Sequence, residues 1–250
     1  NSRKLLNQTK EKIELMLDGI NAVNVNFGLD ANVTVNLKRI FNSNTLTFED
    51  VAQLDMLKSL LSGPAYSSDN IDSIYVYFEN NNKRFISTQE GMSSFDVSND
   101  VGWYNIFLQH RSSEKAWCEV RKIQRYSFEK PNLLLSVFKS IRVYDSPRSI
   151  GVIVLNIRMD SIQKSLSDMK TFDNQRLLLL DGQNRLVCDN TGLSSGETID
   201  VSQLFNHQKI TSTTVKSNKY DLQFISVIPY EELYKMSIIE SRDKPEGSKI

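Results

Sequence analysis

The sequence has few of the residues on which metal sites and many active sites depend. Its 250 residues include only two histidines, His110 and His207, and two cysteines, Cys118 and Cys188. These are too few and too scattered for a zinc site built from His and Cys. Neither histidine lies near a recognisable nucleophile motif, and no glycine-rich phosphate loop is present. We therefore expect no metal, no cofactor and no catalytic residues, and we expect the two cysteines to be unbridged.

The chain also lacks an excess of charge of one sign and a long apolar run. Lys and Arg total 30, as do Asp and Glu, so the formal net charge is zero and binding to nucleic acid is not expected. The apolar runs are far shorter than the roughly 20 residues that span a bilayer. The chain starts at Asn1 and carries no signal peptide. We therefore expect signal and membrane-anchor segments to lie outside these 250 residues.

The first 65 residues are predicted to be helical. Apolar residues recur at helical spacing as far as about residue 28, and a second helical stretch covers roughly 31–42. A third helix is predicted to begin at Thr47, with Asp50 completing its N-terminal cap. Gly63-Pro64 is predicted to end that helix.

From residue 71 the pattern becomes extended. The segment 71–78 is rich in β-branched and aromatic residues, as expected for a strand, and a polar turn separates it from a partner strand at 84–88. The next predicted elements are a loop at 91–100, a helix at 103–110, and strands at 116–124, 133–144 and 151–157. The last of these is almost entirely apolar and is therefore predicted to be central in its sheet.

The order of elements then restarts. Asp160 and Gln163 are predicted to cap a connecting helix. The strands that follow are predicted at 176–180, 185–189, 210–216 and 220–228, before an exit helix at 230–239. The sequence therefore predicts an α+β fold in which a long N-terminal helix precedes two antiparallel-sheet units of about five and four strands. The predicted boundaries are 1–65 for the helical region, 66–160 and 161–235 for the two units, and 236–250 for the exit helix and tail.

This order and spacing resemble the double Cache sensor domain, in which two PAS-like units follow a long helix. Three segments carry the resemblance, which covers essentially the whole chain: Trp103-Tyr104, the run from Ser146 to Leu166, and the closing run from Ser226 to Leu233. The closing run is similar to the end of the sensor domain in Gram-positive receptor histidine kinases. The resemblance implies a transmembrane signal-transduction receptor at the extracellular face of a bacterial membrane. Its distal unit would bind a small ligand, and the chain itself would not be an enzyme.

The resemblance also implies particular ligand-binding residues. Cache domains that bind amino acids carry an Arg two residues before a Trp-Tyr pair, and an Asp at the end of a later strand that holds the ligand's ammonium group. Trp103 and Tyr104 match the pair, and Asp145 stands near the acidic position, although Tyr-Asp-Ser-Pro also suits an ordinary turn. Val101 occupies the Arg position. We therefore expect free α-amino acids to bind weakly or not at all, and an amine or a neutral sugar-like ligand to fit the remaining groups better, with a carboxylate left open as a third ligand class.

Three further candidates lie on predicted strands. Tyr75 and Tyr77 share one strand face, opposite an apolar row that is the better core candidate. Trp117 shares a face with Glu119 and Arg121 on another strand. That row suits a polar ligand such as a sugar, or else it is a solvent-exposed face with a cross-strand ion pair.

Two other classes of protein remain open. One is a cell-surface ligand-binding protein or adhesin, and the other is an extracellular hydrolase with a carboxylate pair among its 30 acidic residues. The receptor hypothesis requires that both ends of the chain lie at the same end of the molecule. It also predicts contact with the membrane through flanking segments and a homodimer formed through the N-terminal helix.

Overall fold

The computed structural model describes residues 2–28, 31–66, 69–142, 147–201, 203–205 and 209–235. Four helices precede the first strand: α1 (Ser2–Leu17), α2 (Gly19–Gly28), α3 (Ala31–Asn42) and α4 (Phe48–Tyr66). Together α1 and α2 form the predicted long helix, with a break at Asp18. None of the helices in the described part of the chain is long and apolar enough to cross a membrane.

The start of α4 has the predicted capping arrangement. The Thr47 backbone N–H donates to Asp50 Oδ2 at 2.9 Å, and the Asp50 N–H donates to Thr47 Oγ1 at 3.2 Å. Arg39 from α3 donates to the same carboxylate at 2.5 Å. The predicted end of this helix at Gly63-Pro64 is wrong, since α4 continues to Tyr66.

The distal unit is a six-stranded antiparallel sheet in the order β3-β2-β1-β6-β5-β4. Its elements are β1 (Ile71–Phe78), β2 (Arg84–Ser87), β3 (Gly91–Ser94), α5 (Gly102–Gln109), β4 (Trp117–Ile123), β5 (Asn132–Arg142) and β6 (Ser149–Arg158). β6 is central, as predicted. β3 is a sixth strand within the segment predicted to be a loop, and it pairs with β2 from Gly91 to Ser94.

The proximal unit has four antiparallel strands in the order β8-β7-β10-β9. Its elements are α6 (Met159–Ser167), β7 (Arg176–Asp181), β8 (Leu186–Asp189), a short 3-10 helix (Gln203–Phe205), β9 (Ile210–Ser217) and β10 (Leu222–Pro229). The capping role predicted for Asp160 is wrong: β6 continues to Arg158, which becomes the N-cap residue, and Asp160 lies in the first turn of α6. Residues 230–235 form the described part of the exit helix.

One apolar core joins the helices to one face of each sheet. It includes Leu17 and Ile20 of the long helix, Leu155 of the distal sheet and Leu179 of the proximal sheet, all fully buried. α1 packs against β9 and β10, whereas α2 packs against β5 and β6. The long helix therefore contacts both units, and the predicted fold class is confirmed.

The two terminal helices leave the proximal unit at one end. Tyr220, in the turn between β9 and β10, donates its hydroxyl to Asp18 at the end of α1. β10 then returns along the sheet to Pro229, which lies opposite Ile210. Because α1 packs against the same two strands, its N-terminal turns extend towards the end where the exit helix begins. For the described residues of the two terminal helices, 2–17 and 230–235, this arrangement agrees with the prediction that both ends of the chain lie at the same end of the molecule.

Candidate ligand-binding site in the distal unit

Successive side chains of β1 point to opposite faces of the sheet, and the two faces have different surroundings. Ile74, Val76 and Phe78 point into the core shared with the helices, as the sequence predicts. Tyr75 and Tyr77 point to the opposite face, which is covered by α5 and by the loop before it. We call this loop, residues 95–101, the lid loop.

Seven aromatic residues pack together on this second face, and we call them the aromatic cluster. They are Tyr75, Tyr77, Phe85, Phe95, Trp103, Tyr104 and Phe107. Trp103 is fully buried at the centre, with its ring centroid 5.3 Å from Phe85 and 5.5 Å from Tyr77. The pairs are tilted or edge-to-face, the arrangements that aromatic rings prefer. The fold thus brings together four of the predicted ligand-binding residues: Tyr75, Tyr77, Trp103 and Tyr104.

Burial changes the acidity of the two strand tyrosines. It raises the pKa of Tyr75 well above its usual value, and the negative charge of Asp100 adds to the effect. Burial also raises the pKa of Tyr77, with a further contribution from its hydrogen bond to Tyr104. Both hydroxyls therefore stay protonated at neutral pH and are hydrogen-bond donors.

A buried ion pair lies beside the aromatic cluster. Arg121 Nη1 donates to Asp100 Oδ1 at 2.7 Å, and Nη2 donates to Oδ2 at 3.1 Å. The two side chains are only 6% and 7% exposed. The Tyr75 hydroxyl donates to the same carboxylate at 2.7 Å, and Trp103 Nε1 donates to the Asp100 backbone carbonyl at 3.0 Å. Asp100 therefore connects the aromatic cluster to β4.

Polar side chains of the central strands extend this network. Arg121 Nε donates to Ser136 Oγ at 2.7 Å, and Nη2 donates to Asn156 Oδ1 at 3.1 Å. Asn156 in turn donates to Ser73 Oγ at 2.9 Å. We call Arg121, Asp100, Tyr75, Ser136, Asn156 and Ser73 the ion-pair network. Arg125, bound to Asp72 and Ser73, adds a second ion pair at its edge.

The row on β4 differs from the interpretation of a solvent-exposed face with a cross-strand ion pair. Arg121 is buried rather than exposed, and its partner Asp100 comes from the lid loop rather than from a neighbouring strand. Trp117 stacks on Phe138, with ring centroids 5.2 Å apart, at the margin of the aromatic cluster. Glu119 binds Arg185 of the proximal unit at 2.9 Å.

The remaining predicted residues lie elsewhere or outside the described structure. Asp145, which carries the acidic role in the predicted site, falls within residues 143–146, outside the described residues.

Cys118 and Cys188 are both free and buried, and burial raises the pKa of each thiol. Among the described residues, no group of three or more His, Cys, Asp and Glu is arranged to hold a metal ion.

Asp100 and Asn156 are site residues that sequence reasoning missed. Asn156 had a usable signal, because it is the one polar side chain within the apolar run of β6. A buried amide needs hydrogen-bond partners, and these are supplied by polar residues on neighbouring strands. Ser136 and Ser73 lie directly opposite it in the sheet register. Asp100 had no such signal, since aspartate is common in loops.

A scan of protein-family models and a search of the curated proteins found no match to this sequence. Solved structures do match over nearly the whole chain. The periplasmic sensory domain of the Campylobacter jejuni chemoreceptor Tlp1 is 12% identical with a TM-score of 0.56, covering 93% of this chain and 96% of that chain. The sensor domain of the V. cholerae histidine kinase DctB is 10% identical with a TM-score of 0.55, covering 91% and 95%. This chain has the fold of these sensor domains.

A third similar structure was solved with a small molecule bound. It is the ligand-binding domain of the C. jejuni chemoreceptor Tlp3 in complex with 4-methylisoleucine. It is 17% identical with a TM-score of 0.51, and the match covers 98% of this chain and 92% of that chain. The predicted resemblance to receptor sensor domains is thereby confirmed at the level of fold, while the Gram-positive assignment stays a prediction.

Proposed function

We propose that this chain is the extracytoplasmic small-molecule-sensing region of a membrane receptor, of the sensor histidine kinase type. The observation that carries this proposal is the second face of the distal sheet, where an aromatic cluster lies beside a buried ion pair beneath the lid loop. Such a face combines apolar area with a few directional polar groups, the composition typical of ligand sites. The shared fold of chemoreceptor and histidine kinase sensor domains supports the same function.

We place the ligand in the distal unit, against Trp103, Tyr104, Tyr75 and Tyr77, with Trp117 and Asp145 as further contacts. The packing of the first four around one centre supports this placement. The complex of the similar Tlp3 domain with 4-methylisoleucine supports a ligand of small-molecule size. The site residues supply hydrogen-bond donors and aromatic faces, and no nucleophile paired with a base, so binding is favoured over catalysis.

We propose that signalling uses two conformations of the distal unit, one of which the ligand stabilises. The contacts of α2 with the distal sheet and of α1 with the proximal sheet support transmission along the long helix. Glu119 and Arg185 provide a second connection between the units. We propose unit boundaries at 66–160 and 161–235, with the membrane reached through segments that flank the chain at the outer face of the cell.

A homodimer through the N-terminal helix is part of this proposal. Leu15 on α1 is 73% exposed and would be covered in such a dimer. A cell-surface adhesin and an extracellular hydrolase are the alternative classes. Neither alternative requires the two terminal helices to leave the proximal unit at one end.

A ligand screen tests the proposal directly. The chain has two tryptophans, Trp103 and Trp117, and both belong to the proposed site. Amino acids, amines, carboxylates and sugars would be screened by thermal shift, and each hit titrated against the intrinsic tryptophan fluorescence of the unmodified chain. We expect a hit to raise the melting temperature and to change the fluorescence.

Two variants show whether a hit binds at the proposed site. We expect Trp103→Phe to weaken its binding, whereas Phe128→Ala, a change to a residue 84% exposed and remote from the aromatic cluster, should leave binding unchanged. A hit that stabilises the Trp103→Phe variant as strongly as the unmodified chain would show that the ligand binds elsewhere.

A further inference from the structure

The ion pair between Arg121 and Asp100 has the geometry with which arginine binds the carboxylate of a ligand. Two parallel N–H···O bonds, of 2.7 and 3.1 Å, join the guanidinium to both carboxylate oxygens. Nothing in this geometry requires that the carboxylate belong to the protein.

Arg121 is held in place without Asp100. Its Nε and Nη2 atoms donate to Ser136 and Asn156, which lie on the interior strands β5 and β6. Ser136 Oγ also donates to Asn156 Oδ1 at 2.6 Å, so these two partners position each other. The guanidinium therefore keeps its orientation when a different carboxylate replaces that of Asp100, and preorganisation of this kind favours binding.

Asp100 belongs to a different kind of element. It belongs to the lid loop, in which Asp96, Val97 and Asn99 are exposed, with Val97 75% exposed. Connecting loops open at lower free-energy cost than the strands of a sheet. The loop can therefore withdraw Asp100 while β4, β5 and β6 keep Arg121 where it is.

The charges of the site favour an anion as the group that replaces Asp100. Arg121 and Arg125 face Asp100 and Asp72, so the two buried pairs are neutral together. A ligand carboxylate at Arg121 preserves this balance. A neutral ligand in the same place would leave the Arg121 charge uncompensated, and a cation would add to it, both of which are costly at a buried site.

We propose that the ligand of the distal site carries a carboxylate that binds Arg121 in place of Asp100, whose side chain acts as a built-in competitor. This inference rests on the proposed sensing function and names the ligand's chemical class. Displacement of Asp100 would also affect α5, because the Asp100 backbone carbonyl accepts the hydrogen bond from Trp103 Nε1. Withdrawal of Asp100 therefore alters the contact that holds the central ring of the aromatic cluster.

Removal of the competitor is the first test. In an Asp100→Ala variant, acetate replaces the missing carboxylate, and its neutral isostere acetamide is the matched control. We expect acetate, but neither acetamide nor chloride at equal ionic strength, to raise the melting temperature of this variant. We expect the acetate dissociation constant to be at least about tenfold lower than for the unmodified chain. Asp100→Asn, which keeps the shape of the side chain, serves the same comparison if Asp100→Ala does not fold.

The unmodified chain provides the second test, which separates a ligand site from a purely structural ion pair. Mono- and dicarboxylates of one to six carbons and the common amino acids would be titrated into it by isothermal calorimetry. We expect at least one to bind, more tightly in the Asp100→Asn variant and not in Arg121→Met. If acetate and acetamide act alike on Asp100→Ala, or if no carboxylate binds the unmodified chain, the inference is wrong. A neutral sugar that binds through Trp103 and is indifferent to Arg121→Met would overturn this inference and leave the sensing function intact.

Discussion

The distal and proximal sheets resemble each other on one face and differ on the other. Each turns one face to the core that it shares with the long helix. The second face of the distal sheet carries aromatic rings and the ion-pair network. The second face of the proximal sheet carries a cluster of aliphatic residues: Leu178, Leu180, Leu186, Ile225 and Val227.

This difference separates structural packing from recognition. Aliphatic side chains stabilise a fold by burial, which is not directional and selects no ligand. A buried arginine and aspartate are costly to desolvate, and replacing such pairs by apolar residues is often neutral or stabilising. Our hypothesis is that the distal unit retains its charges for binding, whereas the proximal unit has no such role.

The largest effect is expected when the distal ion pair is broken. Arg121→Met leaves the Asp100 carboxylate buried without its countercharge, and we expect a loss of about 3–5 kcal/mol in the free energy of unfolding. Urea denaturation measures this loss. The matched proximal change is Arg176→Met, which removes one donor to Asp189.

The proximal change should cost less, about 1.5–3 kcal/mol, because the Asp189 carboxylate keeps other donors. These are the hydroxyl and N–H of Thr191 and the N–H of Leu193. Equal losses for Arg121→Met and Arg176→Met would remove the contrast between the two units.

A smaller effect is expected at the two strand tyrosines. Tyr75→Phe removes a hydroxyl that donates to the charged Asp100, and we expect a loss of about 1.5–3 kcal/mol. Tyr77→Phe removes a hydrogen bond to the neutral Tyr104, and we expect about 0.5–1.5 kcal/mol. Urea denaturation of both variants measures the two losses in the free energy of unfolding. A larger loss for Tyr77→Phe would mean that the contact with α5 stabilises the fold more than the contact with Asp100.

The ion pair between the units should contribute less still. Glu119 and Arg185 have side chains that are 18% and 29% exposed. A double-mutant cycle with Glu119→Gln and Arg185→Gln should give a coupling free energy of about 0.2–1 kcal/mol, falling as salt is added. A coupling free energy well above this range that does not change with salt would mean that this contact joins the two units strongly enough for them to unfold together.

The smallest effect concerns Asp50, which lies outside both sheets. Hydrogen bonds from Arg39 and from the Thr47 backbone lower its pKa to about 2. A lowered pKa in the folded state means that Asp50 stabilises the fold above its unfolded pKa of about 3.9. That contribution is lost as the pH falls through about 2. Acid titration followed by circular dichroism should show a weaker pH dependence of stability between these values in Asp50→Asn than in the unmodified chain.

Most helices and strands could be predicted because their signals are local. The segment 71–78 has alternating side chains and a turn after it, and β1 matches it from end to end. β3 was missed because Gly-Met-Ser-Ser has no strand preference of its own and forms only by pairing with β2. The cap at Asp160 was misplaced because β6, held between two neighbours, runs on to Arg158.

The sequence by itself determined the two-unit α+β plan and four members of the aromatic cluster, Tyr75, Tyr77, Trp103 and Tyr104, because periodicity and residue type are readable along the chain. Only the tertiary structure decided which polar groups meet there. Asp100 and Arg121 are separated by 21 residues, on a loop and on an edge strand. They come into contact only because of the path that the folded chain takes, and no local sequence preference encodes that path. Burial then turned two ordinary charged residues into the network on which the proposed recognition depends.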